Sequence, residues 1–383
     1  MKRVIAVDWS GAKIGAQRKI WLAEVCGGRL QRLESGRNRH ELVEHLIDEA
    51  ARDPHMVVGL DFAFSFPRWF AEERGAQSIE DVWGLVTEEG EGWLRNCRCP
   101  FWGKAGCTMP QECELYRLTE QLASEEHEGV NPKSVFQIGG GGAVGTGSIR
   151  GMPYLVRLRE AGFSVWPFEA AKTRLVIEIY PRLLTGPVNR SDFDERENHL
   201  AEHCPEIDRE FACKAASSED AFDAAVSAVV MSRHVEDIGA LTASQDPTEL
   251  IEGSIWWPPY CPFCHVSSDS VIAESRHALA IADEYPVNPG HTLVIPRAHS
   301  RSLFTHSSEA QADIWHLVAR VRDHLQTSCN PDGFNIGFND GPAAGQTVNH
   351  AHIHVIPRVD GDVEDPRGGI RWVLPDRAAY WDR

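Results

Sequence analysis

The segment from residue 346 to residue 357, QTVNHAHIHVIP, constrains this chain more than any other stretch. Its three histidines, His350, His352 and His354, alternate strictly with apolar residues, and a spacing of two is the periodicity of a β-strand. The pattern predicts three imidazoles on one face of a strand, with the intervening apolar residues packed on the other face. Imidazoles in a row are costly to bury without partners, so metal binding, phosphate chemistry or both are favoured over an ordinary exposed strand.

This segment resembles the histidine-triad family of nucleotide hydrolases and transferases, whose motif is His-x-His-x-His followed by apolar residues. The resemblance runs from about Cys261 to the C-terminus. Residues 340–347, DGPAAGQT, are similar to the branch that splits dinucleoside polyphosphates, whereas His354 in place of a glutamine fits the transferase branch less well. The resemblance implies an α+β domain with an antiparallel sheet and one long helix, which we place at 308–328 from its apolar spacing.

The resemblance also implies how the site works. His352 would attack the α-phosphorus of a nucleotide, most often an adenine nucleotide, and break a phosphoanhydride or phosphoramidate bond; water would then hydrolyse the nucleotidyl-histidine. The surrounding oxygens would be stabilised by His354, Asn339, Gln346 and Thr347. Asp283 lies where relatives bind the ribose, and His291 matches a histidine beside the phosphate site.

Cys261-Pro262-Phe263-Cys264 opens this domain and allows two interpretations, a redox pair or half of a structural zinc site. No βαβ pattern of a redox domain follows it, which favours Zn²⁺. The resemblance implies His299 and His350 as the other two ligands. An unmetallated cysteine pair remains the alternative.

Length and composition set the outer limits. A chain of 383 residues exceeds one ordinary domain, and we predict a boundary that gives domains 1–258 and 259–383. No apolar run is long enough to span a membrane, no signal peptide is evident, and ten cysteines in that context indicate reduced thiols or metal ligands in a cytoplasm. A net charge of −18 gives no basic footprint for long nucleic acid, so a small nucleotide partner is easier to reconcile. Binding of long nucleic acid and a homodimer through the C-terminal domain both stay open.

Carboxylates recur at the ends of apolar strands in the first 258 residues. Asp8 and Asp61 each close a buried strand, Glu178 lies inside the apolar strand 175–180, and Asp223 lies in the first turns of a helix that begins after Ser218. Such a set is used to hold Mg²⁺ or Mn²⁺ for phosphodiester chemistry, although any one strand-end aspartate commonly just caps a turn. Glu178 needs a charged or metallic partner in either case.

The order strand-Asp, strand-Asp, strand-Glu, helix-Asp resembles the ribonuclease-H-like α/β fold. More specifically, residues 135–140, 150–153, 178–182 and 221–224 are similar to a widespread uncharacterised family of such domains. The resemblance implies the fold better than the activity. Metal-dependent nuclease chemistry is therefore one alternative, and a degenerate or differently used metal site is the other.

Two further patterns carry weaker signals. The glycine-rich run 139–147 lacks the Gly-Lys-Ser/Thr ending of a phosphate loop and does not follow a clear strand into a helix, so a closely packed or flexible turn is the better interpretation. Cys97, Cys99, Cys107 and Cys113 form a loose zinc pattern, with free thiols as the alternative. For the whole chain we predict a nucleotide hydrolase, with an N-terminal nuclease or a non-enzymatic nucleotide sensor as the competing functions.

Overall fold

Two separate sheets organise the chain in the computed structural model, which describes residues 3–127 and 129–379. The chain divides into two units, Met1–Pro258 and Pro259–Arg383, at the position where the sequence predicts a domain boundary. No helix in the described ranges is both long and apolar enough to cross a membrane.

The first unit contains seven strands and eleven α-helices among its described residues. The strands are β1 (Arg3–Asp8), β2 (Trp21–Cys26), β3 (Arg29–Ser35), β4 (Met56–Leu60), β5 (Ser164–Val165), β6 (Arg174–Ile179) and β7 (Ile255–Trp256). The helices are α1 (Arg39–Arg52), α2 (Arg68–Glu72), α3 (Ile79–Asn96), α4 (Leu118–Glu126), α5 (Val144–Glu160), α6 (Pro181–Thr185), α7 (Phe193–His203), α8 (Arg209–Ala216), α9 (Glu219–Arg233), α10 (Val235–Gly239) and α11 (Glu249–Glu252).

The sheet of this unit is mixed. Its order is β3-β2-β1-β4-β6-β5, with β7 also pairing β6. The first three strands form an antiparallel meander, whereas β1, β4, β6, β5 and β7 run parallel. Parallel strands need crossovers, and the helices between them supply these. Asp8 and Leu60 therefore end neighbouring parallel strands at the same edge, with Asp61 directly after β4.

Side-chain alternation in the central strands separates two cores. Ile5, Val7 and Val58 belong to a core with residues of α1, α3 and α5, whereas Val4 and Ala6 belong to one with residues of α7, α8 and α9. Because both faces are covered, the central strands are apolar at nearly every position, as is typical of parallel sheets. The short apolar runs therefore predicted these strands well.

Glu178 has a charged partner, Arg117. The Arg117 guanidinium donates to both carboxylate oxygens of Glu178 and also pairs with Glu120, and all three side chains are nearly inaccessible to solvent. The backbone N–H of Phe64 donates a further hydrogen bond to Glu178, of 2.8 Å. The sequence did not identify Arg117, which lies in an irregular segment before α4. Both oxygens of Glu178 are therefore already hydrogen-bonded.

The helix α5 begins at Val144, within the glycine-rich run, and in the described part of the chain no strand lies between α4 and α5, so the strand–loop–helix arrangement of a phosphate loop is not formed here. Its close packing is evident at Gly11, where a Cβ atom would lie 2.4 Å from the backbone nitrogen of Gly147. The loop after Asp8 thus contacts the first turn of α5, an approach that only glycine permits.

The second unit is a five-stranded antiparallel sheet of order β11-β12-β10-β9-β8. Its elements are β8 (Val271–Glu274), β9 (Ala278–Ala282), β10 (Thr292–Pro296), α12 (Ser308–Ser328), β11 (Gly333–Gly337), β12 (Ile353–Arg358) and α13 (Pro375–Ala378). The apolar face of α12, including Ile314, Leu317 and Val321, packs on one side of this sheet. The α+β architecture with one long helix is therefore as predicted.

The buried Arg117 should be essential for the stability of the first unit. Arg117→Met keeps most of the side-chain volume but leaves Glu178 and Glu120 charged in a dry site, and we expect a loss of about 3–5 kcal/mol in the free energy of unfolding. Urea unfolding of the full chain, followed by tryptophan fluorescence, measures it.

Arg157→Met is the matched control, because Arg157 pairs with Glu44 at the surface and should matter far less. Adding Glu178→Gln to Arg117→Met should recover part of the loss, since it removes the unpaired charge. Equal effects of the two arginine substitutions would contradict the importance of the buried pair.

Candidate functional site

The histidine segment only partly forms a strand. Because β12 begins at Ile353, His354 lies in the strand, whereas His350 lies in a bend and His352 in the irregular residues before the strand. The reason is local: the N–H of Ala351 donates to the carbonyl of Ser300 at 2.7 Å, outside the β10–β12 ladder. The prediction that all three histidines leave a strand was therefore wrong for two of them.

The predicted alternation of faces holds. Ala351, Ile353 and Val355 are buried in the core under α12, as the period of two requires. The rings of His352 and His354 lie next to each other, with centroids 5.0 Å apart. The apolar neighbours thus hold the segment in place while the imidazoles group together.

Two backbone carbonyls determine the protonation of the first two imidazoles. The Nε2–H of His350 donates to the carbonyl of Pro296 at 2.9 Å, and the Nδ1–H of His352 donates to the carbonyl of His350 at 2.8 Å. A carbonyl only accepts, so each ring must carry its proton on the nitrogen that faces it. The unprotonated nitrogens are Nδ1 of His350 and Nε2 of His352, when both rings are neutral.

His354 lies in a row of side chains that includes both predicted substrate-binding residues, and the N–H of Val287 donates to Nδ1 of His291 at 3.4 Å. Its Nδ1 lies 3.0 Å from Nε2 of His291, and Nδ1 of His291 lies 3.3 Å from Oδ2 of Asp283. Burial, together with the neighbouring His352 and His291, lowers the pKa of His354 to about 4. Burial also lowers the pKa of His291, against the pull of Asp283. Both rings are therefore neutral at pH 7.

The three polar residues predicted beside the triad lie on the chain that leads up to it. Gln346 orders the turn: its side-chain oxygen accepts from the N–H of Gly341 at 2.8 Å, and its amide donates to the carbonyl of Arg301 at 2.8 Å. The Asn339 amide lies 3.4 Å from the carbonyl of Gly345, and Thr347 is exposed. Gln346 is thus already engaged, whereas Asn339 and Thr347 present polar groups to solvent.

Cys261, Cys264, His299 and His350 come together, with one donor atom of each within 4.8 Å of the others. The Sγ atoms of Cys261 and Cys264 lie 3.4 and 3.5 Å from Nδ1 of His350, and Cys264 Sγ lies 3.2 Å from Nδ1 of His299. Tetrahedral zinc with ordinary bond lengths puts sulfur and nitrogen ligands about 3.6 Å apart. The donor set and the spacing both fit Zn²⁺.

The surroundings support the same site. The hydrogen bond from His350 to Pro296 is the outer partner that metal-bound histidines usually have. Hydrogen bonds from Cys264, His299 and His350 hold the pKa of the Cys261 thiol far below its usual value. These residues would tie the start of the domain, the segment after β10 and the start of β12 to one ion.

In the first unit, Asp8, Asp61 and Asp223 face one another. Burial raises the pKa of Asp8 and Asp61 well above the usual value, and the neighbouring aspartates raise it further. Burial raises the pKa of Asp223 to about 7, although Arg190 opposes the shift. Among the described residues, however, these carboxylates do not form a group of three ligand atoms as close as the cysteine–histidine set.

Arg190 is the cation of this cluster, and the sequence did not point to it. It donates to Oδ2 of Asp223, while Oδ1 of Asp223 is buried without a hydrogen-bond partner. Glu178, the fourth predicted ligand, is held by Arg117 and raises the pKa of Asp61 only by its charge. The predicted convergence is therefore seen for three aspartates.

The four cysteines of the 97–113 segment associate in pairs. Burial and a hydrogen bond with Cys107 raise the pKa of Cys97, and burial with the neighbouring Cys99 raises that of Cys113. In the described part of the chain they do not appear among the groups whose ligand atoms could surround one ion. The pairs fit free thiols better than a four-cysteine zinc site.

Residues 265–361 match the sequence profile of the HIT domain. An uncharacterised HIT-like protein of Mycoplasma genitalium is 34% identical over 104 residues, which are 26% of this chain and 74% of that protein. The chain belongs to the HIT family. The matched residues lie within the C-terminal unit.

Two further relatives illustrate the family. The adenosine 5'-monophosphoramidase of Schizosaccharomyces pombe is 34% identical over 116 residues, covering 29% of this chain and 82% of that protein. A crystal structure of a Zn-bound histidine triad family protein from Mycobacterium smegmatis is 39% identical, covering 27% of this chain and 77% of that chain, with a TM-score of 0.25.

The cysteine–histidine set should hold one zinc ion per chain. Cys261→Ser or Cys264→Ser removes a thiolate ligand, and we expect zinc to be lost and the HIT domain to unfold at a lower temperature, because metal binding and folding are coupled at such sites. Metal analysis of purified protein and thermal unfolding measure both effects.

Cys329→Ser is the control, since Cys329 is an exposed thiol of the same domain outside the set. It should keep its zinc and its melting temperature. Zinc-free wild-type protein, or unchanged zinc in the Cys261 variant, would contradict the assignment.

Proposed function

We propose that the HIT domain hydrolyses a small nucleotide at its α-phosphorus, breaking a phosphoanhydride or phosphoramidate bond through a nucleotidyl-histidine intermediate. The observation that carries this proposal is the hydrogen bond from Nδ1–H of His352 to the carbonyl of His350. It leaves Nε2 of His352 with a free lone pair, which is what a nucleophile needs. An adenine nucleotide is the favoured substrate, as in the name of the similar S. pombe monophosphoramidase.

The remaining side chains have supporting roles in this proposal. Nε2 of His352 attacks the α-phosphorus and the bond from phosphorus to the leaving group breaks. Water then attacks the same phosphorus, the phosphorus–nitrogen bond breaks, and the nucleoside monophosphate leaves the regenerated imidazole. His354, which stays neutral near pH 7, donates or accepts a proton at the phosphate oxygens, with Asn339, Gln346 and Thr347 nearby in sequence. Zinc, where bound, holds His350 and with it the carbonyl that orients His352.

His352→Ala should abolish hydrolysis while the protein stays folded. Loss of a covalent nucleophile costs roughly 10³- to 10⁶-fold in kcat. Initial rates with adenosine phosphoramidate and with a diadenosine polyphosphate measure the effect, and mass spectrometry of acid-quenched wild type tests for a nucleotide bound to His352.

His324→Ala is the matched control, because His324 is an exposed histidine on α12. It should leave rates unchanged. Tight nucleotide binding by wild type without turnover of either substrate would favour a nucleotide sensor instead. Activity should also survive mild chelation of magnesium, since Asp8, Asp61 and Asp223 of the first unit take no part in the proposed reaction.

A second activity is proposed for the first unit, a metal-dependent nuclease of the ribonuclease-H-like type. Its support is the strand order, an antiparallel meander β3-β2-β1 followed by parallel β4 and β6, with Asp8 and Asp61 at adjacent strand ends and Asp223 on α9. The buried, unpartnered Oδ1 of Asp223 calls for a cation. Mg²⁺ or Mn²⁺ would neutralise three carboxylates that one arginine only partly balances.

Divalent ions should therefore stabilise this unit. At about 100 times its dissociation constant, Mn²⁺ should add about 2.7 kcal/mol to the free energy of unfolding. Without metal, stability should fall as pH rises from about 4 to 7. The aspartates have raised pKa values, so the folded state binds more protons than the unfolded state in this window. Asp8→Asn should remove the metal response and weaken this pH dependence.

Asp48→Asn, at an exposed position of α1, is the control and should change neither property. Differential scanning calorimetry at several pH values, with and without Mn²⁺, measures both. If Mn²⁺ leaves the melting temperature unchanged and Asp8→Asn simply destabilises, the carboxylates are structural and the nuclease proposal fails.

A further inference from the structure

Asp283, His291 and His354 form a second set of potential metal ligands within the HIT domain. One ligand atom of each lies within 4.8 Å of the other two, a property they share with the cysteine–histidine set. His291 is buried, while Asp283 and His354 are partly exposed. The set is therefore reachable from solvent on one side and supported by protein on the other.

The chemistry of this set suits a late first-row divalent ion. Two imidazoles and one carboxylate are a recurring ligand group that leaves further positions open for water or substrate. Bonds of about 2.0–2.2 Å to such an ion separate neighbouring ligand atoms by roughly 3.0–3.5 Å. Here the separations are 3.0 Å between Nε2 of His291 and Nδ1 of His354, and 4.0 Å between Oδ2 of Asp283 and Nδ1 of His354. The pair of imidazole nitrogens already has the separation of neighbouring ligands, whereas the carboxylate oxygen of Asp283 lies slightly too far from His354 and would have to approach it.

The backbone holds these ligands in place before any ion arrives. The N–H of Asp283 donates to the carbonyl of His291, and the N–H of His291 donates to the carbonyl of Asn288, each at 3.0 Å. The N–H of Tyr285 donates to Oδ1 of Asp283 at 2.8 Å, which leaves Oδ2 to face the histidines. Such support is what distinguishes a built site from a chance group of polar side chains.

We propose that Asp283, His291 and His354 bind a second, exchangeable divalent transition-metal ion, of the class of Zn²⁺ and Co²⁺. The ion is distinct from the structural zinc because it has no thiolate and only three protein ligands. Its meaning for catalysis rests on the proposed hydrolase, since it would place positive charge beside His352, where a phosphate would bind. Its existence does not depend on turnover, because binding is measured directly.

The test is titration of the full-length protein, with its structural zinc retained, by Co²⁺ alone. In the Asp8→Asn background, which removes the metal response proposed for the first unit, we expect one cobalt ion per chain with the visible bands of nitrogen and oxygen ligands and without the near-ultraviolet band that cysteine sulfur gives. Asp283→Asn and His291→Asn should each weaken this uptake at least about tenfold, because changes to outer-shell partners alone cost about 10- to 100-fold. Zinc analysis after the titration confirms that the cysteine site is unchanged.

Glu284→Gln is the matched control, because it removes a carboxylate one residue away that is exposed and outside the set. It should bind Co²⁺ as the wild type does. The proposal is overturned if wild type takes up no cobalt beyond the cysteine site. It is also overturned if Asp283→Asn and His291→Asn bind cobalt as tightly as Glu284→Gln; the three side chains then only hydrogen-bond one another. Neither result would affect the hydrolase, whose failure appears as absent turnover in wild type.

Discussion

The hydrogen bond between His352 and the carbonyl of His350 is the contact on which the proposed chemistry of the HIT domain depends. That carbonyl is fixed only if His350 is fixed, and His350 is held on both ring nitrogens, by Pro296 on one side and by the cysteines on the other. The cysteine–histidine set therefore fixes His350, and the carbonyl of His350 in turn orients the ring of His352. The carbonyls of Pro296 and His350 can only accept hydrogen bonds, so the fold determines the tautomer of the proposed nucleophile, His352.

The first unit contains several carboxylates that are removed from water. Glu178 is neutralised outright by Arg117, in a pair that is more costly to break than it is stabilising to form. Arg190 lowers the pKa values of Asp8, Asp61 and Asp223, but burial and the neighbouring carboxylates outweigh it, so all three pKa values are raised. The charges of Glu178 are thus balanced within the fold, whereas the carboxylates of Asp8, Asp61 and Asp223 are not fully balanced by Arg190.

Local patterns in the sequence predicted the features that depend on the spacing of apolar residues along the chain. The alternation around His352, the apolar runs of β1 and β4, and the apolar face of α12 all led to the correct elements, because burial follows side-chain period directly. What could not be predicted depends on residues distant in sequence. Arg117 lies 61 residues from Glu178, and nothing near it marks it as a buried cation.

The late start of β12 has the same origin. The period of two continues through His350 and His352, but Ser300 takes the N–H of Ala351 that a strand ladder would have used. A pattern fixes which way side chains point, whereas strand pairing also needs a partner with free backbone groups. The alternation thus predicted that Ala351, Ile353 and Val355 are buried under α12. The hydrogen bonds that determine the protonation of the histidines could be seen only in the fold.

Charge is the remaining constraint on the proposed hydrolase. A chain of net charge −18 repels a polyphosphate at long range, yet salt screens such repulsion beyond about 8 Å at physiological ionic strength. Within that distance the imidazoles of His352 and His354 are the relevant groups, and the neutral ring of His354 can donate to a phosphate oxygen without the desolvation penalty of a buried cation. A site of uncharged donors therefore holds a phosphate without burying a cation. A divalent ion at Asp283, His291 and His354 would strengthen the hold on a phosphate more than any single hydrogen bond would.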